Sequence, residues 1–285
     1  MKRPRLLLCS ALLGVFPLAC VPGPSGEPES GVEPGGPVDL DHLTISVSGR
    51  AELLPEAARL LQAQGQPLPR LEGVPLTLAE PLRLAVSDPG ATLGSTALTS
   101  EGGFAVHQVP VRDIHLGLAA VLAHEGFVPG ATLVFDTART GSRPRTDILN
   151  ARAWALPRAF HDALTTAIGE PRIRAQTGDT LGTLDTAGFL LGRVVDASGA
   201  SVAGARVAID RPELAHRLYY PAEDLRSAGQ EATSPSGLFV YVHSGGDLET
   251  FRLSVEGTQA YVPHNAGAMR GLGLVLTLSP GDAPP

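Results

Sequence analysis

The chain has 285 residues, 22 Lys plus Arg against 29 Asp plus Glu, a formal charge of -7, and two cysteines, Cys9 and Cys20. With no cysteine after Cys20 and Lys2 as the sole lysine, the rest of the chain is closed to disulfide frameworks, thiolate metal sites, cysteine nucleophiles, Schiff-base lysines and lysine phosphate loops.

Lys2, Arg3 and Arg5 precede an apolar run from Leu6 to Leu18, the charged-then-apolar layout of a secretory signal. A helix needs roughly 20 residues to span a bilayer, and this run is too short. It ends in Leu18-Ala19-Cys20, which resembles the bacterial lipobox. That resemblance implies a signal peptide over 1–19, a lipid on Cys20 and a membrane anchored through it. Val21 stands where inner-membrane retention uses Asp, which implies the outer membrane, on its periplasmic or surface face. Residues 20–38 are almost wholly Pro, Gly, Ser and Glu after the cysteine, the composition of a disordered tether. Removing the three signal cations and no acid takes the charge from -7 to -10. An acidic surface repels phosphate backbones, so nucleic acid is not an expected partner.

Beyond the tether the dominant period is two. Leu43, Ile45 and Val47 alternate with polar residues, as do Phe251, Leu253 and Val255, and Leu272, Leu274, Leu276 and Leu278 alternate with Gly273, Val275 and Thr277. Each run predicts a strand with one buried and one wetter face. Turn signals such as Asp88-Pro89-Gly90, Ser198-Gly199 and Ser234-Pro235-Ser236-Gly237 bound them. Short strands at this density predict a mainly β chain built as sandwiches.

The pattern occurs twice. The second copy opens with Leu191 to Asp196, turns at Ala197 to Ala200, and continues with Val202 to Ile209, Glu231 to Val240, Phe251 to Gly257 and Tyr261-Val262-Pro263. The first copy keeps the order with Val47 to Arg50, Glu72 to Leu78, Leu98 to Val106, Ile114 to Val121 and Gly126 to Pro129. Gly102-Gly103 and Gly237 fall where a hairpin needs positive φ, and Phe104 and Phe239 then enter the core. This order resembles the carboxypeptidase regulatory-like (transthyretin-like) domain, a prealbumin or Ig-like β-sandwich akin to starch-binding folds. The resemblance implies two sandwiches, over 39–150 and 185–280, with a tail at 281–285.

One amphipathic helix joins them in the segment 151–184, where Leu156, Phe160, Leu164 and Ile168 recur at helical spacing. Trp154 reads as a staple into that helix contact. A second short helix, Pro55 to Gln64, occupies extra residues of the first copy.

No catalytic residue, cofactor or metal site is expected. The eight histidines make no zinc motif, and no nucleophile elbow or calcium loop is present. His115 is expected to be exposed. His161 and Asp162 are helix neighbours about 100° apart and are not expected to meet. The best contact candidate is the long loop Pro212 to Ser227, with His216, Arg217, Tyr219, Tyr220, Glu223 and Asp224. The reading is a non-catalytic, lipid-anchored envelope protein acting as a structural or protein-interaction module. The alternative is a carbohydrate-binding surface lipoprotein, with an envelope hydrolase third; the expected partner is an envelope protein or a glycan.

Overall fold

The computed structural model describes residues 39–257 and 261–281, so the signal, Cys20, the tether and most of the tail lie outside the described residues. The first copy forms β1 (Thr44–Leu53), β2 (Pro75–Ala79), β3 (Thr92–Ala97), β4 (Gly103–Pro110), β5 (Gly117–His124), β6 (Phe127–Asp136) and β7 (Ile148–Ala155). The second forms β8 (Phe189–Val194), β9 (Arg206–Ile209), β10 (Leu218–Pro221), β11 (Ala228–Gly229), β12 (Leu238–Val242), β13 (Glu249–Glu256), β14 (His264–Ala268) and β15 (Gly273–Leu278). The helices are α1 (Pro55–Ala63), α2 (Pro81–Ala85), α3 (Thr137–Thr140), α4 (Arg158–Ile168), α5 (Glu170–Gln176) and α6 (Leu184–Ala187). The chain is mainly β, as its alternation requires.

The two copies share one sheet. Its order is β11-β10-β12-β8-β15-β6-β5-β2-β3, and β15 lies in the middle, parallel to β8 on one side and to β6 on the other. Two three-stranded sheets, β4-β1-β7 and β14-β13-β9, cover its two halves. The joining segment also differs from expectation: Ile148–Ala155 is a strand pairing in parallel with β1, so the first half extends past residue 150.

Register assigns the faces of the long sheet. Val275 pairs with Thr132 and Leu191, and Ala120 with Thr132, so these side chains share one face. In the first half that face packs on β4-β1-β7, through Leu76, Leu78, Leu118 and Leu122 against Ile45, Val47 and Phe104. In the second half it packs on α4 and α5, through Phe189, Leu191 and Val240 against Phe160, Leu164 and Ile173. The opposite face of the second half carries Leu190, Phe239, Tyr241 and Leu276, which pack on Val207 and Leu253 of the smaller sheet.

Strand β15 therefore corrects the expectation of one wet face: Val275 is buried among the helices while Leu276 and Leu278 are buried under β13. A central parallel strand is covered on both faces, and period-two alternation in it marks two apolar environments rather than one. Gly192, opposite Phe239 in β8, has no room for a side chain because the Phe239 ring lies across it.

Local signals behave as their chemistry predicts. Gly102 and Gly237 take φ of 78° and 70°, and Phe104 and Phe239 are buried in the strands that follow. Gly103 is instead the first residue of β4. Pro157 caps α4 and Gly169 ends it, but a second helix follows at once, with Pro171 in its first turn, where a missing N–H is harmless.

A buried ion pair ties the copies. Glu56 of α1 and Arg193 of β8 are 5% and 7% exposed. Arg193 Nη2 donates to Glu56 Oε1 at 3.0 Å, and its Nε lies 2.9 Å from Oε2. Arg59 Nη2 and Ser201 Oγ also donate to Oε1, at 3.0 and 3.3 Å. The Arg193 guanidinium lies 5.4 Å from the Trp154 ring centroid and that of Arg152 lies 5.6 Å away, so the single tryptophan packs at the same seam.

Glu56→Gln leaves the Arg193 charge buried without a counter-charge, and we expect a loss of about 3–5 kcal/mol in urea unfolding. Replacing Glu56 and Arg193 together by Leu and Met is expected to recover most of it. Because one sheet runs through both halves, Trp154 fluorescence and far-ultraviolet circular dichroism are expected to report one coincident transition. Two separated transitions would show that the halves unfold independently.

Candidate functional site

The structure places the expected contact loop largely inside the fold. Residues Pro212–Arg217 form a short 3₁₀ turn that leads directly into β10. Tyr219 and Tyr220 are 3% and 4% exposed. As strand neighbours they point to opposite faces, Tyr219 into the helix-side core and Tyr220 into the sheet-side core. Tyr220 Oη accepts from Val207 N at 3.0 Å and lies 3.3 Å from Val207 O. Tyr219 Oη accepts from Gln176 Nε2 at 3.0 Å, with the Arg172 guanidinium 5.9 Å from its ring.

Arg217 is also committed internally, donating from Nη1 to Glu249 Oε1 at 2.7 Å. His216, Glu223 and Asp224 are exposed. The His216 carbonyl accepts from Gln230 Nε2 at 2.7 Å, and Asp224 Oδ1 caps the Arg226 amide at 3.0 Å. The six residues do not converge on one surface. Leu218-Tyr219-Tyr220-Pro221, inside the long charged insertion, is a four-residue strand and not loop.

Glu249 is the hub of a buried polar network that sequence reasoning missed. Tyr241 Oη donates to its Oε2 at 2.7 Å, and His243 Nε2 lies 3.8 Å from the same oxygen. Burial, reinforced by the Glu249 carboxylate, pushes the Tyr241 hydroxyl well above the ordinary phenol range. His243 is fully buried, with Nε2 2.8 Å from Asp247 O and Nδ1 accepting from Gly245 N at 3.0 Å. These groups pin the 243–249 connection to Tyr241 of β12 and to Arg217, which precedes β10; Arg217 lies far from Glu249 in sequence, so no motif signals the network.

His161 and Asp162 correct a second expectation, because Nδ1 and Oδ1 are 2.9 Å apart. Nδ1 sits near the backbone end of the ring, so a short carboxylate on the adjacent residue reaches it despite the 100° offset. The ring is otherwise buried against Phe189, and its Nε2 faces Asp185 Oδ1 at 4.0 Å. His115 is exposed, as expected.

The second face of the long sheet is open in the first half. Ala119 pairs with Leu133, and Ala131 with Leu274, so these four side chains share that face. They lie at the floor of an apolar groove of about 560 Å³, where Leu133 and Leu274 are half-buried and Ala119 and Ala131 are buried. One wall is α2 with Leu116, and the other is β14 with the end of β13. Glu80 fixes the first wall: its Oε2 accepts from Arg83 N at 2.8 Å, capping α2, and its Oε1 accepts from Leu116 N at 3.0 Å. At the second wall, burial and the nearby Arg139 hold His264 below the ordinary imidazole range, with Asp136 opposing. A second hollow of about 760 Å³ lies on the polar outer face of β4-β1-β7, lined by Ser48, Arg50, Glu52, Asn150 and Arg152. The groove is the apolar one, and its size suits ligand or peptide side chains.

No protein-family model matches the chain, and no curated protein matches it. Among solved structures it is similar to the shaft pilin SpaA from Lactobacillus rhamnosus GG, at 10% identity over 85% of this chain and 100% of that one, with a TM-score of 0.23. It is also similar to the Bacillus anthracis TIE protein, at 8% identity over 83% and 34% with a TM-score of 0.23. A streptococcal ancillary pilin matches at 11% identity over 84% and 69%, with a TM-score of 0.22. Scores of this size are too low to carry an argument about role.

Tyr220→Phe leaves the Val207 backbone groups buried and unpaired. We expect a loss of about 1–3 kcal/mol, read as a lower urea midpoint at unchanged slope. A contact residue on a free loop would show no such loss.

Proposed function

We propose that this chain is a non-catalytic protein-interaction module, held to the cell envelope by a lipid on Cys20. The observation that carries the interaction reading is the apolar groove, floored by Ala119, Ala131, Leu133 and Leu274 on a sheet face that the smaller sheet covers only in the second half. Large apolar concavities of this kind mark binding surfaces in otherwise well-covered folds. The anchoring reading rests on Lys2, Arg3 and Arg5, the short apolar run, the Leu18-Ala19-Cys20 sequence and the Pro/Gly/Ser/Glu tether. One acyl chain binds a membrane weakly and two suffice, so full lipoprotein processing makes the attachment lasting.

The carbohydrate reading needs exposed planar aromatics. Trp154, Tyr219, Tyr220 and Tyr241 are buried in the cores, which takes away four of the five Trp and Tyr side chains. The protein-interaction reading is therefore favoured.

Expressed with its own leader, the wild-type chain is expected in the detergent phase of a temperature-induced partition, and Cys20→Ser in the aqueous phase with its circular dichroism unchanged. A Cys20→Ser protein that stays with the detergent would overturn lipid anchoring.

A further inference from the structure

The groove has the form of an empty strand position. In the second half, β9, β13 and β14 lie over the long sheet; β14 is the end of that covering layer, hydrogen-bonded to β13 on one side. Among the described residues no strand pairs with its other edge, which borders the groove along Asn265, Ala266, Gly267 and Ala268. An unpaired edge of this kind is a template for one more strand. Stacked sheets sit about 10 Å apart, and beside the groove β13 and β14 pack on the long sheet through Phe251, Leu253 and Ala268. A strand laid next to β14 would continue the covering layer across β6 and β5, towards α2.

The floor and rim specify what that strand carries. Leu82, Leu116, Leu133 and Leu274 give apolar contact; Leu82 and Leu116 are 43% and 54% exposed, and Leu133 and Leu274 are half-buried. Residues pointing down are therefore apolar, and those pointing up meet water. Asp136 and Asp210 also line the groove. Each uses one oxygen to cap a backbone amide, Ala138 N at 2.9 Å and Arg252 N at 2.8 Å. Among the described residues neither has a cationic side chain within 4 Å, and Arg252 is the one cation on the lining. The rim therefore favours a basic partner, as does the net charge of the chain.

We propose that the groove binds an extended segment of a partner protein, which pairs with the open edge of β14, sets alternate apolar side chains on Leu116, Leu133 and Leu274, and carries Lys or Arg at its flanks. This rests on the protein-interaction reading above and names the partner chemistry of the same site.

The test is selection of a random phage-displayed peptide library on the full folded chain, followed by synthesis of the enriched peptides. Enriched sequences are expected to alternate apolar and polar residues with flanking Lys or Arg. Their binding is expected to slow amide hydrogen exchange in residues 264–268, and to weaken about tenfold or more when alternate peptide amides are N-methylated. Leu82→Glu, an exposed change on the α2 wall, is expected to abolish binding with the melting temperature unchanged; Leu116→Glu, a second exposed change beside it, is expected to weaken it.

Binders that protect other segments, and ignore both N-methylation and Leu82→Glu, overturn the groove assignment while the interaction reading stands. Failure to enrich any peptide overturns both. Protection of 264–268 by palmitate but by no peptide identifies an amphiphile site instead. A concentration-dependent dimer broken by Leu82→Glu, with no peptide bound, identifies a second copy as the occupant.

Discussion

The position of β15 governs the architecture. The last strand in the sequence is laid between β8 and β6, parallel to both, and closes a single sheet from two copies that would otherwise be separate sandwiches. Parallel neighbours require long crossovers, and here the crossover from β6 to β15 runs through β7, the joining helices and β8 to β14. The entropic cost of closing so long a loop grows only as its logarithm, so the arrangement is thermodynamically accessible. It is also late: neither half has its complete sheet until the C-terminal strand is in place. The contacts that secure β15 are apolar on both faces, Val275 under the helices and Leu276 under β13.

The seam gains specificity from a less obvious source. Glu56 and Arg193 lose their hydration when α1 docks on β8, and their mutual attraction with the Arg59 and Ser201 contacts offsets that loss only if the geometry is kept. An apolar pair at these positions would tolerate sliding; a hydrogen-bonded charge pair against the Trp154 ring does not. The helical insertion of the first copy thus locates one half on the other, where the sequence alone shows only a short helix in the extra residues of that copy.

Much of the local structure was legible in the residues. The alternation at Ile45 and Val47, the glycines at 102 and 237, and the Phe160, Leu164, Ile168 stripe each report a short-range requirement, and each appears as expected. What failed was long-range. Alternation in Leu272 to Leu278 states that two faces differ, but not that both are buried, since that depends on which strands arrive on either side. Tyr219 and Tyr220 read as contact residues of a long loop because nothing local says that adjacent strand residues, which face opposite ways, both point into a core. The Glu249 network and the groove join residues remote in sequence, so neither leaves a motif.

The open edge at β14 raises the question of why it does not pair indiscriminately. Exposed edges are ordinarily blunted by charge, proline, short length or cover. This one is short, running from His264 to Ala268, and is recessed between the floor of the long sheet and the α2 wall. Pro263 precedes it, and carboxylates at 136 and 210 lie along the groove. A flat sheet edge from another protein cannot reach into such a recess, whereas a single extended segment can. The acidic rim then selects among segments by charge. The same features that protect the edge from aggregation make it selective, which follows from α2 standing where a fourth covering strand would otherwise lie.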